Sequence, residues 1–152
     1  MALATPSGLI AFGLGAGLSR WMPGTAGTLA GMVLALPLTA LPTWAGLLAV
    51  AATCAAGVFV CERVSRALGV HDHGGIVIDE IAAIWLVLLF VPVHWAWWLG
   101  AFAAFRLFDI VKPWPIGWLD RRLAGGFGIM VDDLVAAGYA LAALALAERL
   151  AG

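Results

Sequence analysis

Apolar runs alternate along the chain with shorter, more polar connections. The runs cover residues 29–41, 44–61, 81–91, 95–105 and 134–147, with a weaker stretch at 9–18. Alanine and leucine dominate most of the runs, and glycine or proline stands near their ends, which favours helices over strands. The sequence therefore predicts an all-α fold, a compact bundle of about six helices built from helical hairpins.

The connections between the runs are of two kinds. Residues 41–43 and 91–94 contain proline and no formal charge, whereas residues 19–28, 62–80 and 106–133 hold fifteen of the seventeen charges. If each uncharged turn closes a hairpin, every charged connection returns to the same end of the bundle. Seven of the eight Lys and Arg residues then share that end, which the positive-inside tendency places in the cytoplasm.

The composition narrows the class of protein. Apolar residues make up 64% of the 152 residues and charged residues only 11%, against about 25% in a soluble domain. We therefore expect one domain, residues 1–152, associated with a lipid bilayer. The apolar content excludes a disordered chain, and a net charge of −1 without a basic stripe argues against nucleic-acid binding. Residues 1–9 lack the Lys or Arg of a signal peptide, so we expect them to stay in the protein.

Two of the apolar runs are short for a membrane span. Residues 81–91 and 95–105 have eleven residues each, and a span needs about 20. Joined as one helix kinked at Pro92, they would cross the membrane and place Asp79 and Asp109 on opposite sides. As a hairpin, they keep these acids together. We predict the hairpin, because the chemistry considered next requires the acids to be close.

Carboxylates are concentrated in three places beside apolar runs. Asp79 and Glu80 open one run, Asp109 lies within residues 105–115, and Asp132 and Asp133 follow a glycine-rich stretch at 125–128. Each pair has an ordinary interpretation as helix capping, because acids favour the first helical turn. Acids are scarce here, however, and apolar flanks make each one costly unless it is paired or binds a metal. The five carboxylates therefore predict a Mg²⁺ site, since this cation prefers oxygen ligands and keeps waters for a phosphate.

Cationic and hydroxyl side chains near these acids are candidates for phosphate binding. Arg106, Asp109 and Lys112 are three residues apart, so they share one helical face. They form either a ladder of salt bridges or, with Asp109 on the metal, a phosphate clamp made by the two cations. Thr25 and Thr28 lie in a Pro-Gly-Thr stretch, where they either cap the next helix or donate to a phosphate.

Two further polar stretches receive weaker interpretations. His71, Asp72 and His73 have the composition of a metal tract, but we expect a solvated loop with Asp72 as a reserve ligand. Arg121 and Arg122 are expected to contact anionic lipid head groups rather than to take part in catalysis.

In their order and spacing these motifs resemble the phosphatidylglycerophosphatase A family. The resemblance covers roughly residues 8 to 140, and its most specific part is Phe-Arg-Leu-Phe-Asp-Ile-Val-Lys-Pro-Trp-Pro-Ile at residues 105–116. The other matching elements are Pro23-Gly24-Thr25 with Gly27-Thr28, Ile78-Asp79-Glu80, and Gly126, Gly128-Ile129-Met130 and Asp132-Asp133. One departure is Ala83, where the family usually has glycine.

The resemblance implies an all-α protein of the bacterial inner membrane. Such an enzyme removes the terminal phosphate of phosphatidylglycerophosphate to give phosphatidylglycerol, with Mg²⁺ as cofactor. Combining this implication with the residue chemistry, we assign Asp79, Glu80, Asp109, Asp132 and Asp133 to Mg²⁺ and its waters, one of them acting as general base. Arg106 and Lys112 would hold the phosphate, with Thr25 and Thr28 as further donors. We expect the active site on the cytoplasmic face.

Without the resemblance, the residues are also compatible with other functions. A small membrane transporter or scaffold could use intramembrane acids to carry protons or ions. A CDP-alcohol phosphatidyltransferase also uses clustered aspartates, but its long Asp-Gly…Ala-Arg…Gly…Asp…Asp pattern is missing from this sequence. The type 2 phosphatidic-acid phosphatase pattern fails as well, because residues 6–8 are not followed by His. The oligomeric state cannot be derived from the sequence.

Overall fold

A computed structural model describes residues 5–71 and 73–152, and in these ranges the chain is helical without strands. The α-helices are α1 (Pro6–Ala11), α2 (Pro23–Ala35), α3 (Thr43–Leu68), α4 (Ile78–Leu88), α5 (Trp95–Val111), α6 (Ile116–Arg122) and α7 (Gly125–Ala151). Two 3-10 segments, Gly13–Leu18 and Leu36–Ala40, lie between them. The all-α prediction is confirmed, with seven α-helices in the described residues where about six were expected.

Three of these segments are long and apolar enough to cross a membrane. They are Pro23–Ala40, Thr43–Leu68 and Gly125–Ala151, with mean hydropathies of 1.2, 2.0 and 1.8. Large apolar side chains such as Leu48 and Phe59 on α3 are exposed along them. In a soluble protein such a surface would be unfavourable, whereas lipid tails cover it without cost.

The run at 81–105 forms the hairpin and not a single kinked span. Helix α4 ends at Leu88, the chain reverses through residues 89–94, and α5 begins at Trp95. As a result, Arg106 on α5 returns to within 3.8 Å of Glu80 on α4. Helix α4 is only about 16 Å long, but nine of its eleven residues are buried, so it is a core helix surrounded by protein.

Small residues let the neighbouring helices approach α4 closely. A Cβ atom on Gly27 of α2 would lie 2.4 Å from the Cβ atom of Val77, and one on Gly31 would lie 2.7 Å from Ile84. The Trp85 indole also donates a hydrogen bond of 2.7 Å to the Gly31 carbonyl. Ala83, where the family usually has glycine, is fully buried in the core formed with α5 and α7.

The charged connections meet at one end of the bundle, as predicted. The Gly126 amide of α7 donates to the Glu62 carboxylate of α3 at 2.9 Å, and Lys112 donates to Asp132 at 2.8 Å. The end of α3, the starts of α4 and α7 and the end of α5 therefore lie together. Exposed tryptophans occur near both ends: Trp44 and Trp95 follow the uncharged turns, and Trp21, Trp114 and Trp118 lie in the charged connections.

Both glycine-rich stretches lie inside helices, which corrects two helix-capping interpretations. Helix α2 begins at Pro23 after Met22, which makes no side-chain cap, so Thr25 and Thr28 lie inside the helix and do not cap it. Helix α7 begins at Gly125, seven residues before Asp132, so the Asp132–Asp133 pair does not open it.

The start of α7 is set by contacts with a distant part of the chain. The Gly125 amide donates to His71 Nε2 at 3.0 Å and the Gly126 amide to Glu62 Oε2 at 2.9 Å, which satisfies two amides that a helix start leaves free. A Cβ atom on Gly126 would lie 1.9 Å from the Val58 carbonyl oxygen. Glycine is required there because the backbones of α7 and α3 are in direct contact where the two helices cross.

Replacing Gly126 with alanine tests this close crossing. We expect Gly126→Ala to lower the free energy of unfolding by about 2–3 kcal/mol, because the new methyl group must push α7 away from the α3 backbone. Gly138→Ala in the same helix is the matched control, since a Cβ atom there meets no atom within 4 Å. Thermal unfolding in detergent micelles measures both variants, and an equal effect of the two would contradict the contact.

Candidate active site

Three buried carboxylates converge at the charged end of the bundle. Asp79 and Glu80 come from the first turn of α4 and Asp133 from α7. Each offers one oxygen atom, and these atoms all lie within 4.8 Å of one another. Asp133 is only 4% exposed, and its Oδ2 atom and Glu80 Oε2 have no hydrogen-bond partner among the described residues.

The backbone around this cluster explains how the acids are brought together. The first turn of α4 presents Asp79 and Glu80 at the positive end of the helix dipole, which favours their negative charge. The start of α2 lies directly against them: a Cβ atom on Gly24 would be 2.5 Å from Glu80 Oε1 and 3.0 Å from both terminal nitrogens of Arg106. Glycine at this position leaves room for both side chains.

Arg106 is the cation nearest to the cluster. It forms an ion pair with Asp109 one turn later on α5, and its Nη1 atom lies 3.8 Å from Glu80 Oε1. Its Nε atom is buried without an acceptor among the described residues. Arg106 therefore links α5 to the acids of α4, and its Nε–H group is available to a ligand.

Lys112 does not join the predicted ladder of salt bridges on α5. The helix ends at Val111, and Lys112 adopts a left-handed backbone with φ of +47°. Its Nζ atom reaches Asp132 of α7 at 2.8 Å and Asp120 of α6 at 3.0 Å. The ladder interpretation therefore holds only for the Arg106–Asp109 pair.

Asp120 belongs to the site region but was not a sequence candidate. It lies eight residues after Lys112, beyond two prolines, so no helical spacing relates them. The signal that could have pointed to it is its position as the only acid between Lys112 and the glycine-rich start of α7. Only the packing of α6 on α7 brings it to Lys112.

Burial and like charge shape the electrostatics of the site. Desolvation, together with the charges of Asp133 and Asp109, raises the pKa of Glu80 to about 8 against the lowering effects of Asp79 and Arg106. Desolvation would lower the pKa of Lys112, but its hydrogen bonds to Asp132 and Asp120 outweigh this and raise the pKa above its ordinary value. The carboxylates thus repel one another in a buried setting, which an added cation would relieve.

The donor set of the cluster fits a metal ion. Three carboxylates supply only oxygen ligands, which hard divalent cations prefer, and the unpartnered oxygens of Glu80 and Asp133 are available to such an ion. Asp109 and Asp132, which were grouped with the other acids from the sequence, are instead paired with Arg106 and Lys112. The arrangement is an acidic cluster that could bind a metal, bordered by two cations.

The remaining sequence candidates lie around this cluster or away from it. Thr25 is half-buried in the first turn of α2, next to Gly24. Thr28 is fully buried, and its hydroxyl donates to the Gly24 carbonyl at 2.8 Å. His71 and His73 are exposed, and each accepts a backbone hydrogen bond, from Gly125 and Gly75. Asp72 lies outside the described residues.

The fold and the site define a helical, membrane-associated protein with an acidic cluster and cations suited to phosphate chemistry. The sequence profile of the phosphatidylglycerophosphatase A family matches residues 9–148, so the chain belongs to this family. No solved structure matches the chain.

Three relatives cover most of the chain. The phosphatidylglycerophosphatase A of Haemophilus influenzae is 45% identical over 93% of this chain and 88% of its own length. That of Escherichia coli is 43% identical over 88% of this chain and 78% of its own length. A Bacteroides thetaiotaomicron protein with the provisional name phosphatidylinositol-3-phosphatase is 36% identical over 95% of this chain and 94% of its own length.

Divalent cations test the acidic cluster without an activity assay. We expect Mg²⁺ added to metal-free protein at about 100 times its Kd to raise the unfolding temperature by about 5–10 °C, because the ion binds only the folded cluster. Asp133→Asn should lose this shift, whereas Asp120→Asn, which lies outside the cluster, should keep it. Differential scanning fluorimetry in detergent measures the shift, and an unchanged shift in Asp133→Asn would contradict the metal site.

Proposed function

We propose that the chain hydrolyses the terminal phosphomonoester of phosphatidylglycerophosphate, releasing phosphatidylglycerol and inorganic phosphate in phospholipid biosynthesis. Membership of the family and the names of two relatives support the reaction and the lipid substrate. The structural observation that carries the proposal is the convergence of Asp79, Glu80 and Asp133 beside Arg106 at one end of an apolar bundle.

The proposed cofactor is Mg²⁺, held by Asp79, Glu80 and Asp133. When bound, the ion supplies positive charge to the phosphate oxygens and lowers the barrier to attack by water. The carboxylates orient the attacking water, and one of them accepts its proton as general base. Uncatalysed hydrolysis of such esters is among the slowest biological reactions, so both contributions are needed.

The phosphate is proposed to bind between Arg106 and the start of α2. Arg106 has a buried Nε donor without an acceptor among the described residues, and a guanidinium suits paired contacts with phosphate oxygens. The amides of Gly24 and Thr25 in the first turn of α2 have no partner within the helix and favour an anion, with the Thr25 hydroxyl beside them. Thr28 is left out, because its hydroxyl proton is already donated to Gly24.

Lys112 is assigned to the outer side of the phosphate. Two of its three N–H donors contact Asp132 and Asp120, and the third remains for a phosphate oxygen. Asp132 then orients Lys112 as Asp109 orients Arg106. In this proposal the five acids divide into three that hold the ion and two that position the cations.

The lipid is proposed to lie with its acyl chains against the apolar exterior and its head group at the charged end, on the cytoplasmic face. The exposed apolar side chains of the spans suit the acyl chains, and the excess of Lys and Arg at the charged end supports the orientation.

Phosphate release from phosphatidylglycerophosphate tests the reaction. We expect Asp79→Asn and Asp133→Asn each to lower kcat/KM by about 100-fold or more, because each removes a charged ligand. Glu148→Gln, an exposed acid at the other end of α7, is the control and should keep full activity. A malachite-green assay with Mg²⁺ or EDTA measures the release.

Other outcomes of this assay would point elsewhere. Full activity in both aspartate variants would refute the assignment of the cluster. Faster hydrolysis of phosphatidylinositol 3-phosphate than of phosphatidylglycerophosphate would refute the proposed substrate. Absence of phosphate release from either lipid under any metal condition would favour the transporter or scaffold.

Thiol labelling in bacterial cells tests the orientation. In a variant with Cys54 and Cys61 replaced by alanine, a cysteine at exposed Arg66 reports the charged end and one at Glu148 reports the opposite end. We expect an impermeant maleimide to label position 148 from the periplasm and position 66 only after the inner membrane is opened. The reverse pattern would place the active site on the periplasmic side.

A further inference from the structure

We infer that Arg121 binds the phosphodiester of the substrate lipid, so that the protein contacts both phosphates of the head group. The inference rests on the proposed function, because that substrate carries a diester phosphate one glycerol unit away from the phosphomonoester. Nothing in the reaction at Asp79, Glu80 and Asp133 requires this contact, and it concerns recognition of the lipid.

Arg121 folds back along α6 toward the Lys112 turn. A Cβ atom on Gly117 would lie 3.6 Å from Arg121 Nη1 and 2.9 Å from the Lys112 carbonyl oxygen. Glycine at position 117 therefore leaves space in which the guanidinium lies beside the backbone of Lys112. Lys112 itself donates to Asp132, which adjoins Asp133 of the acidic cluster. From this neighbourhood we place Arg121 at the rim of the proposed phosphate site.

No acid among the described residues forms an ion pair with Arg121. It is exposed, and none of the ion pairs within residues 5–71 and 73–152 includes it. A guanidinium presents paired donors that match the two free oxygens of a phosphodiester. The neighbouring acid, Asp120, is occupied by Lys112 and leaves Arg121 for an external anion.

Adjacent Arg122 has a different environment, which makes it a matched control. Its guanidinium carbon lies 5.4 Å from the ring centroid of Trp118, in a cation–π contact. Trp114, two residues after Lys112, is exposed and offers an apolar surface on which the acyl end of the lipid would lie. The two arginines thus share exposure and charge, but Arg122 contacts Trp118 whereas Arg121 lies beside Gly117 and the Lys112 carbonyl.

Steady-state kinetics with phosphatidylglycerophosphate in mixed micelles, using the full-length protein, tests the inference. We expect Arg121→Gln to raise KM about tenfold, as expected for loss of one charge-assisted contact, and to leave kcat unchanged. The inhibition constant of inorganic phosphate, which has no diester, should also stay unchanged. Arg122→Gln should change none of these constants.

Four outcomes would overturn the inference that Arg121 binds the phosphodiester. A parallel loss of phosphate inhibition in Arg121→Gln would place Arg121 at the phosphomonoester. An equal rise of KM in Arg122→Gln, or a rise that disappears when the micelles contain added phosphatidylglycerol, would indicate attraction to the anionic surface as a whole. An unchanged KM in Arg121→Gln would show that there is no contact. Failure of the proposed function itself is distinct, because the unmodified protein would then release no phosphate from this lipid.

Discussion

The burial of three adjacent carboxyl groups at one end of an apolar bundle is the constraint on which the rest of this structure depends. Each such group costs several kcal/mol when buried without a compensating partner. The start of α4 offsets part of the cost for Asp79 and Glu80, and Arg106 lies 3.8 Å from Glu80. The repulsion that remains between the carboxylates favours the binding of a cation. The same burial therefore destabilises the site and supports the proposed chemistry.

Close helix packing is what holds those charges in place. Lipid tails are as apolar as leucine, so helices in a membrane associate through contact between small residues and through hydrogen bonds. Gly27 and Gly31 bring α2 against α4, and Gly126 brings α7 against α3. At the charged end, Gly24 in the same way allows the start of α2 to lie against Glu80 and Arg106. The glycines therefore set the distances between elements that carry the functional side chains.

A membrane-associated phosphatase must bring an amphipathic substrate to polar groups without exposing those groups to lipid. In this protein the three long apolar segments provide the lipid-facing surface, and the short helices α4 and α6 carry polar side chains within the protein or at its rim. Helix α4 is enclosed by its neighbours, and its two carboxylates lie in its first turn at the charged end. The family to which the chain belongs acts on a phospholipid by name, and this division of surfaces suits such a substrate.

The sequence by itself determined the all-α fold and the stretches that carry the acids, and the expected chemistry predicted the hairpin. Of the five acids predicted as metal ligands, three cluster in the structure. Hydropathy is a property of each stretch of sequence, so helices can be predicted from it without knowledge of the fold. Because the chain has only seventeen charges, each charged residue beside an apolar run is informative. Only the tertiary structure decided that α7 begins at Gly125 and that Lys112 pairs with Asp120 and Asp132. These features depend on contacts such as that of Gly126 with Val58 and Glu62, whose partners lie more than sixty residues apart. No local pattern encodes which distant backbone a helix will meet, so packing alone settles where each polar side chain finds its partner.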